Sequence, residues 1–455
     1  MPPVTVDSAL TSALTGLPRG APRPAPPEVT PLAMSPLRAV IGPVALMTAT
    51  PVLSLLFFVA VLQHDGSLLA LLRSDPALWG AQLPRPSWWA ALVLVGWTVF
   101  QLVLLRFLPG PVEPGPVTPH GQRPQYRLNG VLAWIVTHAA LLVAWRLGIF
   151  KADALYARYG ELLATLLVFA FAFCGFLHWK GRRFPSTPDA VVTGRLAFDF
   201  FQGIELHPRL LGIQLKQLIN CRVSMMGWSV VFVLCALAQI ERHGALSTSM
   251  AASVIVLVAY LFKFFVWESG YFASMDIQHD RFGFYICWGV LVWVPAVYCL
   301  PALWLVDHPI ALSLPHAAGI VALGLLSIGA NYQADAQQQR VRATHGQTTV
   351  WGKPPELIPA RWTTSEGETR DTILLASGWW GLARHIHYVP ELLLAAAWTL
   401  PAGFTHFLPW FYWIFLFILL MDRAVRDEKR CAEKYGAAWV EYTRRVPWRV
   451  LPGVW

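Results

Sequence analysis

Apolar residues run down this chain in blocks of about twenty, separated by polar or proline-rich stretches, and blocks of that length predict helices rather than strands. Roughly 20 apolar residues suffice to cross the hydrocarbon core of a bilayer as a helix. The pattern predicts ten spans, near 41–63, 88–108, 129–149, 160–178, 226–241, 247–267, 284–305, 312–331, 391–407 and 409–422. The last two are divided by "LPAGFTHFLPW", where Pro401, Gly403 and Pro409 break the pattern and predict a tight hairpin or kinked re-entry. The expected fold is an all-α polytopic membrane protein of about ten transmembrane helices.

Composition supports that reading. Hydrophobic residues make up 56% of the chain and charged residues 13%, about half the charge of a typical soluble domain. The 35 Lys and Arg exceed the 26 Asp and Glu, for a formal net charge of +9. These cations gather between spans. Lys180, Arg182, Arg183, Arg195, Arg209, Lys216 and Arg222 flank one long loop, Arg340, Arg342 and Lys353 another, and the rest follow Arg423. With an even span count, this bias predicts that both termini and all long loops are cytoplasmic. Topology absorbs most of the positive charge, so no nucleic-acid partner is expected, although an anionic cofactor would use a subset. The six cysteines form no CxxC pair, which argues against a disulfide framework or a zinc site, and no metal is expected. Residues 1–37, rich in proline, read as a flexible tail. Residues 38–193 read as generic N-terminal helices, and 194–455, with polar residues at almost every boundary, as the region that carries function.

Four polar constellations stand out there. "WESGYFASMDIQHDRFGFYICWG", 267–289, places Glu268, Tyr271, Asp276, His279 and Asp280 at a membrane boundary, where they are either exposed loop acids or a mouth able to deliver a proton. The loop 332–372 carries Arg340 and Arg342 just past a span, suited to phosphate oxygens or simply to topology. "SGWWGLARHIHYVPELL", 377–393, holds Arg384, His385, His387 and Tyr388 in excess of an interfacial aromatic belt. Its two histidines are two apart and share no helix face, so they are not expected to hold a metal together. In 421–455, Arg423, Asp427 and Cys431 follow at i, i+4 on one helix face. Tyr435, Trp439 and Tyr442 there could pack on the membrane or cover a cofactor ring.

Together these stretches, above all 377–393 followed by "MDRAVRDEKRCAEKYGAAWVEYTRRVPWRVLPGVW", resemble the sterol reductase family, which includes the 7-dehydrocholesterol and Δ14-sterol reductases. The resemblance covers about 194–455, and "FDFFQGIELHPRLLGIQLKQLINCR", 198–222, is similar to that family's cytoplasmic loop. "DIQHDRFGFYICWG" and "VWGKPPELIPARWTTSEGET" are closer to the 7-dehydrocholesterol branch. The resemblance implies an oxidoreductase of the bilayer, in the endoplasmic reticulum or a bacterial inner membrane, that takes a sterol from the lipid and reduces its 7,8 double bond. It implies NADPH in a cytoplasm-facing pocket of the C-terminal half. The contacts would be Arg342, Leu375, Trp380, His387, Tyr388, Asp427, Cys431, Ala432, Glu433, Lys434, Tyr435 and Tyr442. Gln338 stands where a basic residue is common, and Arg340 would compensate. Reduction needs an acid as well as a hydride. The acid candidates are Tyr271, Asp276, Asp280 and the Arg423–Asp427 pair. Rival readings are a Δ14-sterol reductase, an isoprenylcysteine-type methyltransferase and a non-catalytic sterol-binding protein.

Overall fold

The computed structural model describes residues 35–363 and 369–455; the expected tail over 1–37 falls almost wholly outside them. The apolar blocks form helices α1 (Leu37–Gln63), α2 (Trp88–Phe107), α3 (Gly130–Arg146), α4 (Tyr159–Arg183), α5 (Gln217–His243), α6 (Thr248–Val266), α7 (Phe284–Asp307), α8 (Leu314–Ala343), α9 (Tyr388–Thr399) and α10 (Leu408–Tyr435). Eight of these are long and apolar enough to cross a membrane; α3 and α9 are shorter. The protein is therefore an integral, multi-pass membrane protein.

The expected break near Pro401 is present. Helix α9 ends in a 3-10 turn, Gly403 takes φ +69°, and α10 begins with Pro409 in its first turn, where a missing N–H costs nothing. Trp410 Nε1 donates to the Gly403 carbonyl at 2.7 Å and braces the reversal. Helix α5 starts nine residues before the predicted span, as a π-helical stretch from Gln217 to Met225. Its Gln217, Asn220, Arg222 and Ser224 made the segment look like loop, yet all are buried.

The two longest helices, α8 and α10, project well beyond the bilayer core. At about 1.5 Å per residue, the 30 residues of α8 and the 28 of α10 run about 45 and 42 Å, against a core of roughly 30 Å. Their projecting ends carry the polar residues of 332–343 and 423–435. Between them sits an antiparallel hairpin, Leu357–Thr363 paired with Thr369–Leu375, in a stretch expected to be loop. Strand side chains alternate between faces. Ile358, Ala360 and Leu374 pack with Trp439, Tyr442 and Val446 around helix α11 (Ala437–Arg445), and Leu375 packs with Val341, Val350 and Trp380 against α8. Packing of the strand faces thus anchors a small extramembrane layer on the two long helices.

The loop 198–222 is a brace. Gly203, at φ +91°, and Gly283 touch backbone to backbone, and a Cβ on either would lie 2.2–2.4 Å from the other. Phe282 N donates to Glu205 O at 2.8 Å, and the Glu205 carboxylate pairs with buried Lys180 at 2.7 Å.

Candidate functional site

On α10, Arg423, Asp427 and Cys431 share a face as the spacing required, and Cys431 Sγ lies 3.9 Å from Asp427 Oδ2. Arg423, however, forms its ion pair with Asp276 rather than with Asp427. The tertiary contact joins the 267–283 stretch to the C-terminal helix. Asp276 and Arg423 thus come together, while Asp427 sits one turn on, within electrostatic reach of Arg423 and Arg430.

The 276–280 segment is held from below. Lys216, 1% exposed, donates to the carbonyls of Asp276, Ile277 and Asp280 at 2.7, 3.1 and 2.5 Å. Three donors meet three acceptors, all that an ammonium can offer. Burial and the nearby Asp276 push the Asp280 carboxyl above its ordinary range. Tyr271 accepts a hydrogen bond from Asn220 at 3.0 Å and packs against Phe264 and Phe272. Glu268 belongs to the scaffold, locked in a buried ion pair with Arg222, which also donates to Asn129 at 3.0 Å.

The stretch 377–393 splits into two roles. Arg384 is a tether: it binds Glu428 at 2.6 Å and the carbonyls of Val446 and Pro447 at 2.7 and 2.9 Å. Glu428 also binds Arg449 at 2.7 Å, so the chain end is strapped beneath residues 384–385. Trp380 donates to the Ala334 carbonyl at 2.8 Å and its own carbonyl accepts from Tyr442 at 3.0 Å. Gly378 permits this docking: at φ +63°, a Cβ there would lie 2.3 Å from Gln337 Oε1, the atom that accepts from Trp379 N. His387 lies between the Trp380 and Tyr388 rings, at 5.0 and 4.4 Å. Burial, with Arg423 close by, presses the His387 imidazole down to about 3. Its Nδ1 is buried and has no hydrogen-bond partner among the described residues.

A second cluster is cationic. Arg342, Arg430 and Lys434 surround Cys431. Among the described residues none of the three is in an ion pair, and Arg430 Nη1 is buried without a partner. Lys434 Nζ sits 4.0 Å over Trp362, a hairpin residue, and 5.2 Å from the Tyr435 ring. Convergent cations beside aromatic rings, with orphaned buried donors, fit a polyanion carrying planar rings. Leu375 and Tyr442 are in the packing beneath it. Ala432 and Glu433 are exposed on the same turn, and Arg340 is exposed on α8, joining no ion pair among the described residues. Sequence reasoning missed Lys216, the hairpin's Trp362, Arg430 and the acid within the ninth span, Glu391. A lone glutamate in an apolar block was the one available signal for the last.

A layer of cations and rings set on a polytopic bundle defines a membrane protein with a polar site at the ends of its two longest helices. The chain matches the Ergosterol biosynthesis ERG4/ERG24 family over residues 45–455 and belongs to that family of sterol reductases. It is 42% identical over 429 residues to the 7-dehydrocholesterol reductase of Arabidopsis thaliana, covering 92% of this chain and 99% of the plant protein. It is 35% identical to a Δ14-sterol reductase of Methylotuvimicrobium alcaliphilum, over 90% and 94% of the two chains. With the 7-dehydrocholesterol reductase of Danio rerio it shares 34% over 91% of each. The family identifies an oxidoreductase, of a kind that generally uses a nicotinamide cofactor.

Proposed function

We propose that this protein reduces the 7,8 double bond of a Δ5,7-sterol with NADPH, the reaction that turns 7-dehydrocholesterol into cholesterol. The observation that carries this is the 42% identity over nearly all of the plant 7-dehydrocholesterol reductase, against 35% for the bacterial Δ14 enzyme.

Arg342, Arg430 and Lys434 would hold the phosphates, and Trp380, Tyr388, Tyr435 and Tyr442 would bound the rings. His387, neutral and with a free ring nitrogen, is suited to hydrogen-bond the carboxamide. When bound, the cofactor supplies a hydride. The chain's own work is to orient, to exclude water and to supply a proton. A conjugated diene protonated at one end gives an allylic cation, which accepts hydride readily. Of the boundary acids, Asp276 is engaged with Arg423, which leaves Asp280, its carboxyl raised by burial, Tyr271 and Asp427 as the candidates that the boundary itself offers for the proton. The sterol enters from the bilayer. Both termini face the cytoplasm, in the endoplasmic reticulum or a bacterial inner membrane, and residues 194–455 form the catalytic part on the support of 38–193.

The test is sterol analysis after incubating the purified protein with NADPH and either 7-dehydrocholesterol or a Δ8,14-diene sterol. NADPH-dependent loss of the 7,8 bond alone is expected. Reduction of the 14,15 bond instead would reassign the substrate, and cofactor binding without turnover of either would replace catalysis by sterol binding.

A further inference from the structure

A third polar group lies deeper in the bundle and takes no part in either cluster. Tyr260 and Lys263 come from α6, Asn331 from α8 and Glu391 from α9. Tyr260 donates to Glu391 Oε1 at 2.9 Å, and Asn331 Nδ2 reaches Glu391 Oε2 at 3.2 Å. The Asn331 side-chain oxygen accepts from Lys263 Nζ at 3.0 Å. Asn331 Nδ2 also lies 3.2 Å from the carbonyl of His387, which ties the group to the ring site above. Asp335, one helical turn beyond Asn331 toward the projecting end of α8, is within electrostatic reach of Lys263. Neither Glu391 nor Tyr260 is fully enclosed.

An ionisable pair this far inside an apolar bundle is costly to keep and points to a function. Glu391 follows Tyr388 by three residues, about 5 Å along the helix, on the side away from the cationic layer. The Tyr298 phenol lies within reach of Asp276, Arg423 and Glu391, and the Tyr412 phenol within reach of Tyr298, Tyr260 and Glu391. The Tyr298 and Tyr412 rings are themselves in contact, their centroids 4.1 Å apart. The boundary acids are otherwise engaged: Asp276 is bound to Arg423, Tyr271 is hydrogen-bonded to Asn220, and Asp280 lies in the outer segment within electrostatic reach of Arg423 and Arg426.

We propose that Glu391, backed by Tyr260, Asn331 and Lys263, delivers the proton that the reduction consumes, a role that rests on the sterol reduction proposed above. In that step the alkene π pair forms a new C–H bond with the acidic proton of Glu391, directly or through the Tyr260 hydroxyl. The carboxyl is left as carboxylate and the adjacent carbon as a cation. The bound nicotinamide would supply the hydride, a proton with two electrons, that closes the cation, so one hydride and one proton are added in all. The carboxylate is reloaded by a proton from water. Lys263, one amide away, stabilises the negative charge left on Glu391, and Asn331 keeps the two from closing into a direct ion pair.

The experiment compares wild type with E391Q, E391D and Y260F in detergent. NADPH binding, single-turnover reduction in H2O and D2O, and the infrared carbonyl stretch of protonated carboxyls are measured without and with cofactor. E391Q should lower the reduction rate by about 100-fold or more, the scale of general-acid catalysis, with NADPH binding held within about twofold. E391D should recover at least about tenfold of that loss, and Y260F should slow turnover about tenfold with a larger solvent isotope effect. A protonated-carboxyl band present in cofactor-free wild type should vanish in E391Q. If E391Q does not purify as a single species, E391D and Y260F carry the same comparison. E391Q turning over within about threefold of wild type, or leaving the carboxyl band unchanged, overturns the assignment. A wild type that reduces no sterol diene would instead remove the proposed function, so the two failures are distinguishable.

Discussion

Lys216→Met tests whether the acid-bearing segment is held by one buried ammonium. The three carbonyls of Asp276, Ile277 and Asp280 accept from it at 2.7, 3.1 and 2.5 Å. Methionine fills the same channel but donates nothing, so three buried acceptors are stranded. At ~1–3 kcal/mol for each buried group left unpaired, with part of that recovered by water at the segment's outer edge, the expected loss is about 3–5 kcal/mol. That is a large share of a folding stability of about 5–15 kcal/mol. The 276–280 segment should also drift, loosening Asp276 from Arg423 and lowering kcat more than it raises the sterol KM. The assay heats purified protein, follows the fraction that remains monodisperse, and measures turnover at the permissive temperature. A variant that unfolds within about 0.5 kcal/mol of wild type, with kcat unchanged, would refute the reasoning, since stranded acceptors cannot be that cheap.

Further expectations follow from the same contacts. Gly378→Ala forces a Cβ to 2.3 Å from Gln337 Oε1 at φ +63°, so Trp379 and Trp380 should undock; intrinsic tryptophan fluorescence should shift and NADPH affinity drop by about tenfold or more, one charge-assisted contact's worth. Arg342→Ala should raise the KM for NADPH by about 10-fold or more while leaving that for NADH nearly unchanged, if its guanidinium reads the 2′-phosphate that NADH lacks; equal effects on both cofactors would place Arg342 on the diphosphate they share. Arg384→Met leaves the Val446 and Pro447 carbonyls unpaired and Glu428 with Arg449 alone, so the C-terminal strap should become sensitive to protease before the bundle unfolds. His385, buried, stacked on Tyr388 and flanked by His387, is held neutral down to about 3. The unfolded chain protonates it near 6.5 and the native chain does not. Native stability is therefore complete above about pH 6.5 and drains as pH falls toward 3. At pH 5 the loss from this residue is ~2 kcal/mol, at 1.36 kcal/mol per unit. Thermal stability measured between pH 7 and 5 should fall accordingly, and His385→Gln should flatten the profile.

The pattern of apolar blocks determined the helical, membrane-crossing architecture and the break near Pro401, because crossing a bilayer leaves a chain little choice but long apolar helices. Local spacing likewise set the Arg423, Asp427 and Cys431 face of α10 and the Trp439 and Tyr442 pair of α11, since neighbours on one helix turn follow from the helix itself. Other features came only from three-dimensional packing. The hairpin was read as loop because a two-stranded ribbon in a short polar stretch has a weak pattern, and its faces are specified by α8 and α11, not by its own residues. Arg423 chose Asp276, 147 residues away, over its helical neighbour. Arg384, expected among binding residues, was spent on Glu428 and the tail. Lys216, Asn220 and Arg222 looked like loop polarity because a π-helical turn buries side chains that an exposed loop would hydrate. Whether a polar residue in such a chain braces or reacts depends on which partners the fold brings to it, and a desolvated donor or acceptor takes the nearest group that satisfies it, however distant in sequence.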